Sequence, residues 1–148
     1  MKILGNLNTM KRILVVEDEE ALALSLKDNL TEEGYAVDVA KDGEAALVQI
    51  AQNKPDLVLL DLLLPKRDGL SVLETIKKNP DYKTIPVIVL SNLGSDIKLP
   101  GTAGDFSTVA MYADDYLIKA QNSISDIVKK VNQYIGSGKK AKVVETRG

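Results

Sequence analysis

Five polar side chains in this sequence each follow an apolar run, and together they could carry out one reaction. In chain order they are Glu17, Asp18, Asp61, Ser91 and Lys119. Three carboxylates held together repel one another by about 4 kcal/mol per pair at roughly 4 Å, if the effective dielectric is ~20. Such a group requires a cation, and an all-oxygen site suits Mg²⁺. Beside a cation, a hydroxyl and an ammonium, Asp61 is suited to accept a phosphoryl group as the in-line nucleophile.

These side chains meet only if the apolar runs are strands of one sheet. The unbroken Leu/Val run that ends at Leu60 lies between turn residues and predicts a strand buried on both faces, as in a parallel sheet. Asp61 follows it directly, and Pro65 and Gly69 shape the loop that leaves it. In open α/β sheets, ligand chemistry lies beyond the carboxyl ends of the strands. The position of Asp61 therefore indicates a functional site.

Strands and helices alternate along the chain. The predicted strands cover residues 12–16, 35–39, 57–60, 85–90 and 116–118, and amphipathic helices follow them. This alternation predicts a flavodoxin-like, doubly wound sheet of five parallel strands in the order 2-1-3-4-5. The ligand crevice of that fold lies between the first and third strands. Glu17, Asp18 and Asp61 all fall there.

The composition limits the classes of function. The chain has 148 residues, 45% of them hydrophobic and 27% charged, as expected of one globular domain. It contains no cysteine and no histidine, which excludes disulfides, thiolate or imidazole metal ligands, Ser-His-Asp catalysis and a histidine phosphocarrier within these residues. The net charge of -2 predicts no nucleic-acid binding. The sequence lacks a membrane-length apolar run and a signal-peptide pattern, which predicts a cytoplasmic protein without membrane contact.

We predict three segments in the chain. Residues 1–10 are weakly patterned and form an N-terminal extension, and residues 11–136 form the domain. Residues 137–148 are too few to be a second domain. Because Gly and Ser followed by charged residues are typical of disorder, we expect this last segment to be a disordered polar tail.

Each site residue also has a purely structural explanation. Asp61 is able to cap the following turn or helix, and Glu17 and Asp18 are able to serve as acids at the start of a helix. Taken alone, Ser91 fits a turn residue and Lys119 fits a surface lysine. Those explanations do not account for the joint placement of these residues at the ends of four strands along one edge of the sheet. That placement favours a common site.

From Lys11 to about Ile135 the chain resembles a response-regulator receiver domain. The matching segments are Ile13-Leu14-Val15-Val16-Glu17-Asp18-Glu19, Asp61-Leu62-Leu63-Leu64-Pro65 with Asp68-Gly69, Val89-Leu90-Ser91, and Asp114-Asp115-Tyr116-Leu117-Ile118-Lys119. The resemblance implies a stand-alone, single-domain response regulator of a two-component phosphorelay. A histidine kinase or histidine phosphotransfer protein would phosphorylate it, and a conformational change would signal to a downstream protein that the sequence does not identify. Apart from its own phosphorylation and dephosphorylation, the resemblance implies no enzymatic activity.

The resemblance also implies a role for each matching residue. Asp61 is the phosphorylated residue. Ser91 bonds the phosphoryl group, Lys119 pairs with it, and Tyr116 is the aromatic switch that follows the hydroxyl. Mg²⁺ is held by four groups, namely Glu17, Asp18, Asp61 and the backbone carbonyl of Leu63.

Several features depart from the family pattern. Ala120 follows the lysine where the family usually has a cis proline, and because a non-proline cis bond costs roughly 2.5–4 kcal/mol, cis and trans are both open here. Asn92 replaces a usually small residue and would narrow access to the phosphoryl group. Leu99-Pro100-Gly101 and Gly104 break helix where the fourth helix should begin. We therefore predict a long loop and a shortened fourth helix from about Phe106 to Ala113.

Two leucines bear on the lifetime of the phosphoryl group. Leu63 and Leu93 lie two residues past Asp61 and Ser91, respectively. In the geometry of the family, these positions flank the approach of the hydrolytic water. Leucine cannot orient water and would exclude it, so we predict slow self-dephosphorylation.

Two other functions stay open. A pseudo-receiver would bind a partner independently of phosphorylation, which Ala120 and the altered fourth helix favour, but which the intact acids, Ser91 and Lys119 oppose. An aspartate-nucleophile phosphohydrolase would need a second acid two residues after Asp61, where Leu63 stands.

Overall fold

A computed structural model describes residues 10–64, 66, 68–92 and 105–136, with only the backbone described for 105–108. Most of the predicted N-terminal extension and the whole of the predicted polar tail lie outside the described residues. So do Leu93, Pro65 and the predicted loop before the fourth helix. The predictions for these segments stay untested.

Five parallel strands form one sheet. The strands are β1 (Arg12–Val16), β2 (Ala36–Ala40), β3 (Leu57–Leu60), β4 (Val87–Ser91) and β5 (Asp115–Ile118). Their order is β2-β1-β3-β4-β5, which confirms the predicted flavodoxin-like topology. Since all pairs are parallel, the five carboxyl ends lie along the same edge. The switch point between β1 and β3 is at the centre of that edge.

Two strands begin later than the apolar pattern predicts. The second begins at Ala36, because the N–H of Tyr35 still donates to the carbonyl of Leu30 in the turn that ends the preceding helix. The fourth begins at Val87, because Pro86 has no N–H and the N–H of Ile85 donates to Tyr82 within a turn. In both cases a local turn takes residues that the hydrophobic pattern alone assigns to a strand.

Five helices follow the strands: α1 (Glu20–Glu32), α2 (Gly43–Gln52), α3 (Gly69–Lys78), α4 (Asp105–Tyr112) and α5 (Ile124–Ile135). A short 3₁₀ helix, Lys119–Gln121, precedes the last of them. Side-chain caps start α2 and α3, where Asp42 accepts from the N–H of Ala45 and Asp68 from that of Ser71, both at 2.8 Å. The fourth helix has eight residues and is short as predicted, beginning and ending one residue earlier than expected.

Helices cover both faces of the sheet, so the core has two layers. Successive residues of β1 point to opposite faces: Ile13 and Val15 pack with apolar side chains of α1 and α5, whereas Leu14 and Val16 pack with those of α2, α3 and α4. These four of the five β1 side chains are at most 2% exposed, as are all four of β3. This packing on both faces holds the carboxyl ends of β1 and β3 in fixed positions. Among the helices that the structure describes, none is both long and apolar enough to cross a membrane.

Candidate functional site

The three predicted acids meet at the carboxyl ends of β1 and β3. Val16 and Leu60 are paired at the ends of these neighbouring strands, and the N–H of Asp61 donates to the carbonyl of Val16 at 3.0 Å. One carboxylate oxygen each from Glu17, Asp18 and Asp61 lie within 4.8 Å of one another. Glu17 and Asp61 are 2% and 5% exposed, whereas Asp18 faces solvent. The structure therefore brings together the acids that the sequence predicted.

Lys119 reaches this group from two strands away. It directly follows β5, and its Nζ lies 2.9 Å from Glu17 Oε1 and 3.2 Å from Asp61 Oδ2. Both contacts are ion pairs, and the ammonium also donates a hydrogen bond to Asp61 Oδ2. Because β4 separates β3 from β5, the lysine side chain spans the end of β4 to make both contacts. Its side chain is 15% exposed, so the ammonium is largely shielded from water.

Burial dominates the electrostatics of this group. Burial raises the pKa of Asp61. Two contacts oppose this rise: the N–H of Leu63 donates to Asp61 Oδ1 at 3.1 Å, and the ammonium of Lys119 lies nearby. Burial likewise raises the pKa of Glu17, and Lys119 opposes that shift. For Lys119, burial alone would lower the pKa, but the two carboxylates together outweigh it, and the pKa rises. The lysine is therefore charged at neutral pH, and ionising either buried carboxyl group costs folding free energy.

The raised pKa of Asp61 predicts that Asp61→Asn stabilises the metal-free domain. Because the folded-state pKa exceeds the unfolded one, the stability linked to this group is fully present below the unfolded pKa and is lost as pH rises through the folded pKa. In EDTA we expect variant and wild type to have similar Tm at about pH 4, and the variant to exceed wild type by a few degrees at about pH 7. Thermal unfolding followed by circular dichroism measures this. A lower Tm for the variant at about pH 7 would contradict it.

The acidic group fits a divalent cation. Its donors are all oxygens, as hard cations such as Mg²⁺ require. Glu17 Oε2 accepts from the N–H of Glu19 at 3.1 Å, and the buried Oε1 faces the ammonium of Lys119 at 2.9 Å. Buried carboxylates are costly unless positive charge faces them, and here one ammonium lies beside a group of three carboxyls. Glu17, Asp18 and Asp61 are therefore suited to hold Mg²⁺.

The remaining predicted residues occupy distinct positions around the acids. Ser91 ends β4 and is fully buried, directly beside β5. Tyr116 lies in β5 opposite Val89, and partial burial raises the pKa of its hydroxyl. Leu63 is in the loop after β3 with its side chain 51% exposed. The roles of these residues stay predictions.

Two of the departures from the family pattern, Ala120 and Asn92, lie beside Lys119. The peptide bond between Lys119 and Ala120 is trans, and both residues belong to the 3₁₀ helix. Asn92 and Ala120 are exposed and line an open groove of about 530 Å³ that also touches Lys119. The other residues along the groove are Glu19, Ala21, Leu22, Ser25 and Ile124. No sequence pattern predicts this groove, because it forms between α1 and the turn that precedes α5.

Sequence reasoning missed two contacts that shape the site. It expected Lys119 to meet a phosphoryl group but not Glu17, because a contact between side chains from β1 and β5 leaves no mark in the pattern. It predicted that Gly69 shapes the loop after β3, but not that the start of α3 lies very close to the end of β3. A Cβ at Gly69 would lie 2.5 Å from Leu62 Cα and nearer still to the carbonyl oxygen of Asp61. The Asp68-Gly69 pair was the available signal, since glycine after a helix-capping acid permits tight packing.

A doubly wound sheet with three acids at its switch point defines the class of this protein as a flavodoxin-like α/β domain with a cation site. The sequence profile described as the response regulator receiver domain matches residues 13–132. The chain belongs to this family. Receiver domains are signalling domains of two-component systems, and they interact with histidine kinases and downstream effectors.

Curated relatives in this family are longer than the chain. The response regulator MprA of Mycobacterium sp. (strain KMS) is 41% identical over 108 residues, which are 73% of this chain and 44% of that protein. The phosphate regulon transcriptional regulatory protein PhoB of Rhizobium meliloti (strain 1021) is 34% identical over 110 residues, 74% of this chain and 46% of that protein. The chain thus spans less than half the length of these relatives.

Solved receiver structures share the fold over most of the chain. The response regulator TrrA from Thermotoga maritima, in complex with Mg²⁺ and BeF, is 35% identical with a TM-score of 0.70, covering 85% of this chain and 100% of that one. The Mn²⁺-bound form of the response regulator Rcp1 is 31% identical with a TM-score of 0.66, covering 84% and 93%. A CheY-like receiver from Methanospirillum hungatei JF-1 is 26% identical with a TM-score of 0.73, covering 95% and 100%.

Proposed function

We propose that this domain accepts a phosphoryl group on Asp61 from a histidine kinase or a histidine phosphotransfer protein, and that the change is passed to a protein partner. The surroundings of Asp61 are the main support for this proposal. Its carboxylate is buried at the end of β3, 3.2 Å from the ammonium of Lys119 and within 4.8 Å of two further acids. A nucleophile, a cation site and a fixed ammonium are the parts that phosphoryl transfer requires.

In this proposal a carboxylate oxygen of Asp61 attacks the phosphorus of the donor. The phosphorus–nitrogen bond of the phosphohistidine breaks, and the imidazole leaves with the bonding electron pair and is protonated. Lys119 Nζ, already 3.2 Å from Asp61 Oδ2, then pairs with the phosphoryl oxygens. Bound Mg²⁺, held by the three acids and the carbonyl of Leu63, would neutralise charge on those oxygens. The N–H of Leu63 keeps the Asp61 carboxylate oriented during the transfer.

The response to the phosphoryl group is assigned to Ser91 and Tyr116. Ser91 is buried on β4, between the strand that carries Asp61 and the strand that carries Lys119. In the proposal, this hydroxyl donates a hydrogen bond to a phosphoryl group on Asp61. Tyr116, on β5 next to β4, then follows the movement of Ser91. This pair would carry the signal from the site towards the surface formed by α4 and β5.

Several parts of the proposal concern the protein beyond this site. None of the 148 residues is histidine, so the phosphohistidine comes from outside this sequence. The near-balanced charge supports a protein partner rather than nucleic acid for this domain. The single-domain status, the cytoplasmic location and the identity of the downstream partner stay predictions.

Intact mass spectrometry after incubation with acetyl phosphate and Mg²⁺ tests the assignment of Asp61. We expect wild type to gain one phosphoryl group and Asp61→Asn to gain none, because an amide cannot form the acyl phosphate. Asp68→Asn is the matched control, since Asp68 is exposed and caps α3 only seven residues further on. It should be phosphorylated like wild type, and EDTA should prevent the reaction in both. No adduct on folded wild-type protein would overturn the proposal and favour a phosphorylation-independent binding module.

The lifetime of the phosphoryl group is predicted to depend on Leu63 and Leu93. The Leu63 side chain is half exposed beside Asp61, and it cannot orient an attacking water. Replacing Leu63 with Asn and Leu93 with Glu should speed loss of the phosphoryl group by about 10–100-fold. This increase lies at or below the lower limit of the rate acceleration that a positioned general base usually gives. The decay of the phosphorylated mass after removal of the donor measures this. Leu24→Asn, at an exposed leucine on α1, should leave the rate unchanged. An unchanged rate in the double variant would contradict the prediction.

A further inference from the structure

The buried hydroxyl of Tyr35 faces two acceptors at the end of α5. Tyr35 is 1% exposed, and its Oη lies 2.5 Å from Asn132 Oδ1 and 2.6 Å from the carbonyl oxygen of Gly136. Burial and the nearby Glu33 carboxylate raise the pKa of Tyr35 to about 12, so the hydroxyl keeps its hydrogen at neutral pH. Because a phenol has one hydrogen to donate, it cannot make a full hydrogen bond to both oxygens at once.

The side-chain amide of Asn132 connects this hydroxyl to the end of α1. Its Nδ2 donates to Glu33 Oε1 at 3.1 Å, and Glu33 is the residue that follows α1. In this orientation the amide presents its oxygen to Tyr35, so it accepts the phenolic hydrogen and has none to give back. The carbonyl oxygen of Gly136 then lies 2.6 Å from the hydroxyl oxygen without a hydrogen between them. Such a contact weakens the hold on Gly136.

A second orientation of the amide fastens Gly136 but brings two acceptors together. If the amide turns by half a rotation, Asn132 Nδ2 donates to Tyr35 Oη, and the phenolic hydrogen goes to the carbonyl of Gly136. Asn132 Oδ1 then faces the carboxylate of Glu33, and two acceptors without a hydrogen repel each other. The side chain at position 33 therefore decides between the two orientations.

We propose that Glu33, Asn132 and Tyr35 form a two-state hydrogen-bond relay that fastens or releases Gly136. The carboxylate of Glu33 favours the releasing orientation, and a hydrogen donor in its place favours the fastening one. Gly136 is the residue from which the chain continues beyond α5, so the relay controls how firmly this exit is held against the end of α1. Tyr35 precedes β2 and lies at the edge of the sheet opposite the acids, so the inference does not rest on the proposed function.

Amide hydrogen exchange of the full chain, followed by NMR, tests the relay. The N–H of Gly136 donates to the carbonyl of Asn132 at 2.8 Å, so its exchange rate reports how firmly the last turn of α5 is held. We expect Tyr35→Phe to speed this exchange about two- to tenfold, as for the loss of one hydrogen bond. Glu33→Gln should slow it by a similar factor, because a glutamine amide is able to donate to Asn132 Oδ1 and so permits the orientation that fastens Gly136.

Two matched variants separate the relay from general effects on stability. Tyr134→Phe removes another phenol of α5, whose hydroxyl contacts the carbonyl of Asp114 at 2.9 Å and Asp115 Oδ2 at 3.1 Å. Glu32→Gln removes an exposed carboxylate from the same end of α1. Neither substitution should change the exchange rate of Gly136.

The double variant carrying Tyr35→Phe and Glu33→Gln gives the sharpest result. Without the hydroxyl there is no hydrogen to redirect, so Glu33→Gln should have no further effect on Gly136. Asn132→Ala replaces Tyr35→Phe if the latter does not fold, since it removes the amide and should equally abolish the effect of Glu33→Gln. Unchanged exchange in folded Tyr35→Phe, or slowing by Glu33→Gln that persists in the double variant, would overturn the inference.

Discussion

Gly69→Ala is expected to destabilise the domain and to abolish phosphorylation of Asp61. A Cβ at this position would lie 2.5 Å from Leu62 Cα and closer still to the carbonyl oxygen of Asp61. Both neighbours are backbone atoms at the end of β3, so no side-chain rotation can relieve the overlap. The N–H of Gly69 also donates to the carbonyl of Leu62 at 2.9 Å, which ties the start of α3 to this strand end. Adding one methyl group must therefore push α3 and the Asp61 backbone apart.

We expect this substitution to cost about 3 kcal/mol, at the upper end of what overpacking usually costs. In a domain of this length, that corresponds to a fall in Tm of roughly 6–12 °C, measured by thermal unfolding. At a low temperature at which Gly69→Ala is still folded, it should gain no phosphoryl group from acetyl phosphate, because Asp61 is no longer held beside Lys119.

Gly136→Ala is the matched control for this prediction. Gly136 follows α5 with a positive φ of 71°, and a Cβ there would meet nothing within 4 Å. With ψ at 155°, the backbone of Gly136 lies in a region that is essentially restricted to glycine, so the substitution adds strain without overlap, at a cost of about 1–3 kcal/mol. It should leave phosphorylation intact. Normal phosphorylation of Gly69→Ala, or loss of phosphorylation in Gly136→Ala, would contradict the argument.

The fold and the acidic group could be predicted because both depend on short-range patterns. Buried runs such as Leu57–Leu60 mark central strands, and alternation with helices makes those strands parallel. Parallel strands place their carboxyl ends together, so Asp61 and the acids after β1 had to be neighbours. A buried acid at that edge has few roles other than binding a cation or reacting. This part of the site follows from the order of residues alone.

Contacts between distant side chains could not be predicted in the same way. The reach of Lys119 to Glu17 depends on the width of β4 and on the rotamer of a long side chain. The overlap at Gly69 depends on how closely α3 approaches β3, which is set by packing and not by periodicity. The Asp114-Asp115 pair was matched to the family pattern, but nothing in the sequence indicated that Lys77 contacts it. These distances are properties of the packed domain.

Asp114→Ala is expected to cause the other large loss of stability. Asp114 Oδ2 accepts from Lys77 Nζ at 2.7 Å and from the N–H of Val87 at 2.8 Å, so it joins α3 to the first residue of β4. The N–H of Asp114 donates in turn to the carbonyl of Val87. Removing the carboxylate leaves the Lys77 side chain, 10% exposed, without its counter-charge, and leaves the Val87 N–H without this acceptor. The carbonyls of Ile85 and Lys83, 2.7 and 3.3 Å from Lys77 Nζ, supply partial dipoles in its place but no negative charge.

Breaking a buried ion pair costs 3–5 kcal/mol, but Asp114 is 37% exposed, so we expect a loss of about 2–3 kcal/mol in the free energy of unfolding. Urea unfolding measures this loss.

Asp38→Ala is the matched control. Asp38 pairs with Arg12 at a similar distance of 2.8 Å, but both side chains are about one-third exposed. Ion pairs as exposed as this one contribute at most about 1 kcal/mol. Asp114→Asn should fall between the two, because its amide oxygen still accepts from Val87 while the charge is lost. If Asp114→Ala cost no more than Asp38→Ala, burial of Lys77 would not be the source of the stabilisation.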